Sequence, residues 1–480
     1  MKTKYTSFKQ FLTLSAMIIF AVLSACDDED PPLPDNVVQF ESKALAFDAD
    51  ENTMTVNVSL SRAVNQDTDI TILTTFTGLT YDEEVSTLPE SSDNSLTVTI
   101  PKGASQGSFD IAKKEGVLLD GDETISFVVS NVGAGLVLGH RSTLVISFSE
   151  ILAVQGSMDP NVGGQLQPNK VFIDLSASRQ TSFNRGDWDL AFYAAEGHFD
   201  VLLNSSSSMM ARALDKADLN AVTAADTIGW SLQLSTDAVF AAITADPVPA
   251  WVSNAAAWID APSGDMTATA IAEISMDAVQ NKVYIVNRGK NPDGTQRGWK
   301  KMRVLRNGNN YTLQHADITS TSFTTVEITR DTDYLFNFVK FESGAVEIEP
   351  KKDKWDIAFT VFTNTTPAGP GLVVPYVFND VVIQNRYATE TAEILVSNGG
   401  SYDDFDESDL ANVTFSTSQV NIGSKWRSGG GPGSGPALKE DRFYLVKDAD
   451  GNIYKLKFTA LTQNGERGRP KIHYSLIRKA

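Results

Sequence analysis

The 480-residue chain holds one cysteine, four histidines and nine methionines, so thiol, imidazole and thioether chemistry has few places to occur. The thiol, Cys26, directly follows a basic start (Lys2, Lys4, Lys9) and an apolar stretch from Phe11 to Val22. That stretch is short for a membrane span and has the layout of a secretory signal. A single cysteine excludes disulfides within the chain and suits attachment of a lipid. No G-x-S-x-G occurs, and no clustered His or Cys offers a zinc site. Glycine-rich 429–435 lacks the Gly-Lys-Ser/Thr of a phosphate loop. DADGN (448–452) opens like an EF-hand loop but lacks the next ligand and the acid at position twelve, so it reads as a hairpin turn. Carboxylates are too abundant to single out a glycosidase pair. The chain is therefore expected not to be an enzyme.

Leu23-Ser24-Ala25-Cys26 resembles a bacterial lipobox, which makes residues 1–25 a signal peptide and Cys26 the lipidated residue. DDED follows, then PPLPD, so residues 26–36 read as an acidic, proline-bearing tether. An acidic run behind a lipidated cysteine resembles the signal that sends Bacteroidetes lipoproteins to the cell surface. The expected location is the outer membrane, lipid-anchored and facing the exterior. Without residues 1–25 the chain carries 37 basic and 60 acidic side chains, formally −23. Such a surface repels phosphate backbones, which excludes nucleic acid as a partner.

The elements that must position any site are strands. TMTVNVSLS (53–61), SLTVTI (95–100), ETISFVVSN (123–131) and STLVISFSE (142–150) alternate apolar and polar residues, the period of half-buried strands. Only about 210–248 is helix-like, in ARALDKADLNAV and TDAVFAAI. Residues 37–150 form a first unit whose GDETISFVVSN, GLVLG and last strand resemble the Calx-beta module, an immunoglobulin-like sandwich. Some members bind calcium through clustered carboxylates at one end, which implies Asp120, Asp122 and Glu123 as candidate ligands, and Asp82, Glu83 and Glu84 as further ones. Calcium needs six to eight converging oxygens.

DWDLAF begins at position 187 and KWDIAF at 354. Each is followed by a matched hairpin: Lys282–Val286 against Arg442–Val446, an Asp-Gly turn (Asp293-Gly294; Asp450-Gly451), and a basic return strand. The first hairpin is three residues longer on each arm, as it must be if register is to survive. Two tandem copies follow, 151–320 and 321–480. On a strand, Trp355, Ile357 and Phe359 share one face and Asp356 and Ala358 the other. The aspartates are expected to accept hydrogen bonds from loop amides. The motif thus reads as a fold signature and not a site.

FNFVKFESGAVEI, KWDIAF, KWRSGGGPGSGPA (425–437) and RFYLVKDADGNIYKLKF, in that order, are similar to the HmuY family of haem-binding surface lipoproteins. WDLAF and FDVLLNSSSS (199–208) make the first copy similar but diverged. The resemblance implies an all-β fold of an N-terminal immunoglobulin-like β-sandwich followed by two tandem HmuY-like domains. It also implies haem held between two His or Met side chains and passed to a TonB-dependent transporter. Between Trp355 and Tyr444 there is no Met, His or Cys, so the second copy cannot follow that pattern. In the first copy Met266, paired with Met209, Met210 or His198, is the candidate axial set, and Met276 lies in the same stretch. Trp230, Trp251, Trp258, Trp299 and Trp426 could stack on a flat ligand or fill the core. Binding of haem or a related apolar ligand for uptake is the expected function. The alternative is a non-haem adhesion or scaffold protein that uses the fold for partner contacts.

Overall fold

A computed structural model describes residues 34–47, 51–114, 123–133, 135–148, 153–430 and 435–480. Cys26, Asp120 and Asp122 lie outside the described residues. The fold is all-β. Residues 36–147 make two five-stranded sheets, ordered 85–88, 106–113, 53–60, 36–40, 136–138 and 44–46, 143–147, 124–132, 68–77, 95–100. Alternation does the work: in Thr53–Leu60, Met54, Val56 and Val58 turn inward while Thr53 and Thr55 stay exposed. Phe109 and Phe127 meet at 4.8 Å in the core between the sheets.

The sandwich is tied to the rest of the chain. Gln180 Nε2 donates to the carbonyl of Glu41, Ser42 Oγ donates to that of Ser178, and Arg179 pairs with Glu51 at 2.7 Å. Glu41 itself is buried, and burial pushes its carboxyl up to about 7, opposed by the hydrogen bond from Asn57. A raised folded value means the native state holds this proton more tightly than the unfolded chain. The resulting stability is complete below pH ~4.5 and is lost as pH rises through 7, an effect of about 3 kcal/mol at roughly 1.4 kcal/mol per unit. Thermal melts between pH 4 and 8 should therefore converge for Glu41→Gln and native protein at the acid end and separate in favour of the variant near neutrality. Parallel curves would remove the assignment.

Residues 155–478 form four stacked layers. The outer sheets each have five strands. One runs Met210–Ala213, Tyr284–Asn287, Trp299–Asn307, Asn310–Ala316, Thr324–Ile328; the other Glu390–Leu395, Arg442–Lys447, Ile453–Gln463, Glu466–Arg478, Gln155–Met158. The inner sheets each have four. These are Val201–Leu203, Leu190–Tyr193, Phe336–Lys340, Gly344–Val346, and Leu372–Gln384, Ile357–Gly369, Asn169–Asp174, Arg179–Asn184. Leu190, Phe192 and Val339 pack on Tyr284, Met302 and Tyr311 of the first outer sheet. Ile357, Phe359 and Val171 pack on Tyr444, Tyr454 and Tyr474 of the second. The inner sheets face each other across the middle.

The sheets do not divide at position 320. The first WDLAF strand pairs with Phe336–Lys340, and the second WDIAF strand pairs with Asn169–Asp174. Gln155–Met158 edges the outer sheet made from residues 390–478, and Thr324–Ile328 edges the one made from 210–316. Each half of the chain thus lends an edge strand and a hairpin to the sheets of the other. Both matched hairpins keep their register: Tyr284 faces Met302 and Tyr444 faces Leu456. Gly294 and Gly451 sit at φ +86° and +95° in their turns, a conformation glycine adopts without strain.

Between the first inner strands and Tyr284, residues 214–280 wrap the outer sheet in short turns of helix. Thr236–Ala242 is an α-helix, its first turn capped by Ser235, as TDAVFAAI suggested. ARALDKADLNAV is not helical: Met210–Ala213 is an edge strand paired with Tyr284–Asn287, and only Leu219–Ala221 turns. Edge pairing overrode the helical preference of its alanines.

Candidate ligand-binding site

Both WD motifs lie just ahead of their strands, which begin at Leu190 and Ile357. Alternation therefore does not reach the tryptophans. Trp188 packs with Ala191, and Trp355 with Ala358, on the side facing the middle of the stack. The expectation that Trp355 shares a face with Ile357 and Phe359 is corrected here; those two point to the outer sheet. The aspartates do accept amides, and from the lent hairpins. Asp189 Oδ2 accepts from the N–H of Phe341 at 2.9 Å, and Asp356 Oδ2 from that of Leu175 at 2.8 Å. Asn204 and Asn385 donate to the carbonyls of Trp188 and Trp355 and fix both approaches.

The surroundings of the two aspartates differ. Asp189 is wholly buried and meets Arg288 through two bonds of 2.9 Å and Arg297 at 2.9 Å. Among the described residues no cation pairs with Asp356. Burial, then the charge of Asp174, pushes its carboxyl well above the usual range.

Between the inner sheets, ringed by Trp188, Leu335, Phe336, Phe338, Trp355 and Phe362, is a cavity of about 70 Å³. Four ionisable groups line it: Lys170, Asp260, Glu349 and Arg386. Burial holds Lys170 down to about 8 and lifts Glu349 to about 7 and Asp260 to about 6. Lys170 Nζ sits over the rings of Phe172 (4.5 Å) and Trp355 (5.8 Å), and Arg386 over Phe336 (4.5 Å). Asp260 is satisfied by the amides of Leu203 and Ala270 at 2.7 and 3.0 Å. The indole Nε1 of Trp188, that of Trp355 and Oε1 of Glu349 are buried and reach no partner. Lys170 on its strand and Arg386 just beyond another gave no local sign of this gathering, because the carboxylates Glu349 and Asp260 arrive from the opposite half of the chain. The repeated tryptophans were the available signal.

The candidate axial ligands are not brought together. Met209 packs between inner and outer sheets, its sulfur 3.8 Å from Arg297. Met210, its neighbour on the alternating strand, points through to the far side of the outer sheet, among Leu219, Val222 and Trp258. Met266 lies against the middle cluster, its sulfur accepting from Arg386 at 3.5 Å. His198 is exposed, and so is Met276. Of the four candidates, Met266 alone adjoins the cavity. Sites for cofactor-sized ligands run to roughly 300–1,000 Å³, so 70 Å³ does not fit a porphyrin. A larger cleft of about 730 Å³ separates the sandwich from residues 159–169 and 463–471. Its one histidine, His140, pairs with Asp159 at 3.1 Å, and no methionine lines it. These residues do not fit a two-ligand haem site.

Among the described residues no three His, Cys, Asp or Glu side chains gather as a metal site. Glu123 is buried at the start of Thr124–Val132. Trp426 is a core residue, stacked on Phe458 at 4.2 Å, while Trp251 and Trp258 stack on each other in the wrapping segment.

A four-layered β body with clasped, mutually lent hairpins is the class of architecture. The model of the HmuY protein family matches residues 166–474, and the chain belongs to that family. No curated protein matches the chain. Among solved structures, the apo Calx CBD1 domain is similar at 12% identity, over 24% of this chain and 96% of its own, with a TM-score of 0.21. A two-domain protein of unknown function from Bacteroides fragilis aligns at 9% identity over 35% of this chain and 66% of its own, with a TM-score of 0.19. A candidate carbohydrate-binding protein from Bacteroides ovatus aligns at 11% identity over 91% of this chain and 99% of its own, with a TM-score of 0.17.

Proposed function

We propose that the chain is a non-enzymatic lipoprotein, anchored to the outer membrane through Cys26 and facing the exterior. Its HmuY body captures a ligand for uptake, with a TonB-dependent transporter as partner, without clamping haem iron between two axial side chains. The observation that carries the last point is the placement of Met209, Met210 and Met266 in three different packing layers. A second reading, partner contact through the fold, is favoured by the wrapping segment. Ile228, Leu232 and Phe240 are exposed there, and Phe240 meets exposed Tyr376 of the long inner hairpin at 6.0 Å.

Haemin titrated into the mature protein and followed by absorbance tests the proposal. The expected result is no saturable Soret shift that depends on these methionines. A shift abolished by Met266→Ala would overturn it.

A further inference from the structure

The cavity between the inner sheets holds more donors than its own residues use. Gln384 spends its amide on the carbonyls of Thr389 and Ser416 and its oxygen on Thr391. Gln419 donates to Pro262, and Ser206 bonds Thr360. What remains is specific: two indole N–H groups on residues about 95% buried, and an ammonium and a guanidinium that hydrogen-bond no carboxylate among the described residues, although the charge of Glu349 attracts both and that of Asp260 attracts the guanidinium. Against these stands a single idle acceptor, Glu349 Oε1; the N–H of Phe336 serves the same carboxyl. A buried donor left without a partner forfeits its hydration with nothing in return. Their concentration at one place, with the two indoles supplied by both copies of a repeated motif, marks a built site.

We infer that this cavity binds a small carboxylate ligand, its oxygens held by Trp188 Nε1, Trp355 Nε1, Lys170 and Arg386, with a hydroxyl or amine of the same ligand donating to Glu349. The donor excess sets the carboxylate, and the lone acceptor sets the second group. Size agrees: 70 Å³ is several times the roughly 10–15 Å³ that one water needs and suits a group of a few heavy atoms. The apolar ring of Leu335, Phe336, Phe338 and Phe362 excludes water and strengthens each charge-assisted bond. The inference rests on the reading of the body as a ligand-capturing one and names the chemistry it captures.

Calorimetric titration of the mature protein with lactate, glycine and acetate, and with propanol and acetamide as uncharged controls, tests it. Lactate or glycine should bind saturably and more tightly than acetate, and the controls should not bind. Trp188→Phe and Trp355→Phe keep an aromatic ring at each position and remove one N–H each. Either should weaken binding about tenfold, the factor that about 1.4 kcal/mol represents. Glu349→Gln should erase the preference for lactate over acetate. Thermal melts establish that the variants fold, and either tryptophan variant suffices if the other does not. No heat with any carboxylate, which would leave the cavity to ordered water alone, overturns the inference, as does unchanged affinity in a folded tryptophan variant. A methionine-dependent haemin shift would instead overturn the function proposed above and leave this site standing, so the two failures are distinguishable.

Discussion

Asp189→Asn will destabilise the protein by about 3–5 kcal/mol at pH 7, while Asp356→Asn, the same change at the matching position of the repeat, will cost less than about 1 kcal/mol. Asp189 is fully buried between Arg288 and Arg297. Removing its charge leaves Arg288 with the half-exposed carboxylate of Glu342, but it strands Arg297 among the carbonyls of Gly186 and Trp188. An uncompensated buried cation is among the most expensive single defects. Asp356 is the reverse case. Its carboxyl is raised by burial and by neighbouring Asp174, so the native state keeps it protonated at a pH where the unfolded chain ionises it. Stability from this group is complete below pH ~4 and lost as pH rises. An amide of the same shape accepts the Leu175 N–H equally well and has no proton to lose, so Asp356→Asn gains on the native protein in alkali. Urea titrations of both variants at pH 6 and pH 9 check this; equal losses at the two positions would refute the ion-pair account.

Phe359→Ala will cost about 3–5 kcal/mol. Its ring is 1% exposed and lies between Trp426 at 6.4 Å and Phe458 at 6.1 Å, which are themselves stacked. Nothing near by can collapse into the void, because Trp426 is held by a bond from its Nε1 to the carbonyl of Asp380. Phe359→Leu keeps most of the volume and should cost clearly less. Denaturation midpoints for the pair decide the matter, and an alanine variant that melts with the native protein removes Phe359 from the core.

Much of the local structure was legible because it depends on neighbours in sequence. Alternation found the strand Ser95–Ile100 residue for residue. The symmetric insertion found a hairpin register that Tyr284 and Met302 keep. Acceptance of amides by Asp189 and Asp356 was also readable, but the donors were not, since Phe341 and Leu175 come from the opposite half. The same non-local pairing hid the cavity: Lys170 lies on a strand that joins Ile357–Gly369, nearly two hundred residues later. The methionines misled for a related reason. Met209 and Met210 are adjacent in sequence, yet a strand sends them to opposite sides of a sheet.

The loan of hairpins between the halves also sets the order in which the protein can be completed on the ribosome. Gln155–Met158 has no sheet to join until Glu466–Arg478 has been made, and Asn169–Asp174 must wait for Ile357–Gly369. Loops of this span must close before their contacts repay the entropy lost, which makes assembly slow. Until then the nascent chain carries bare strand edges, so the interlocked product depends on being kept unfolded long enough to tie itself together.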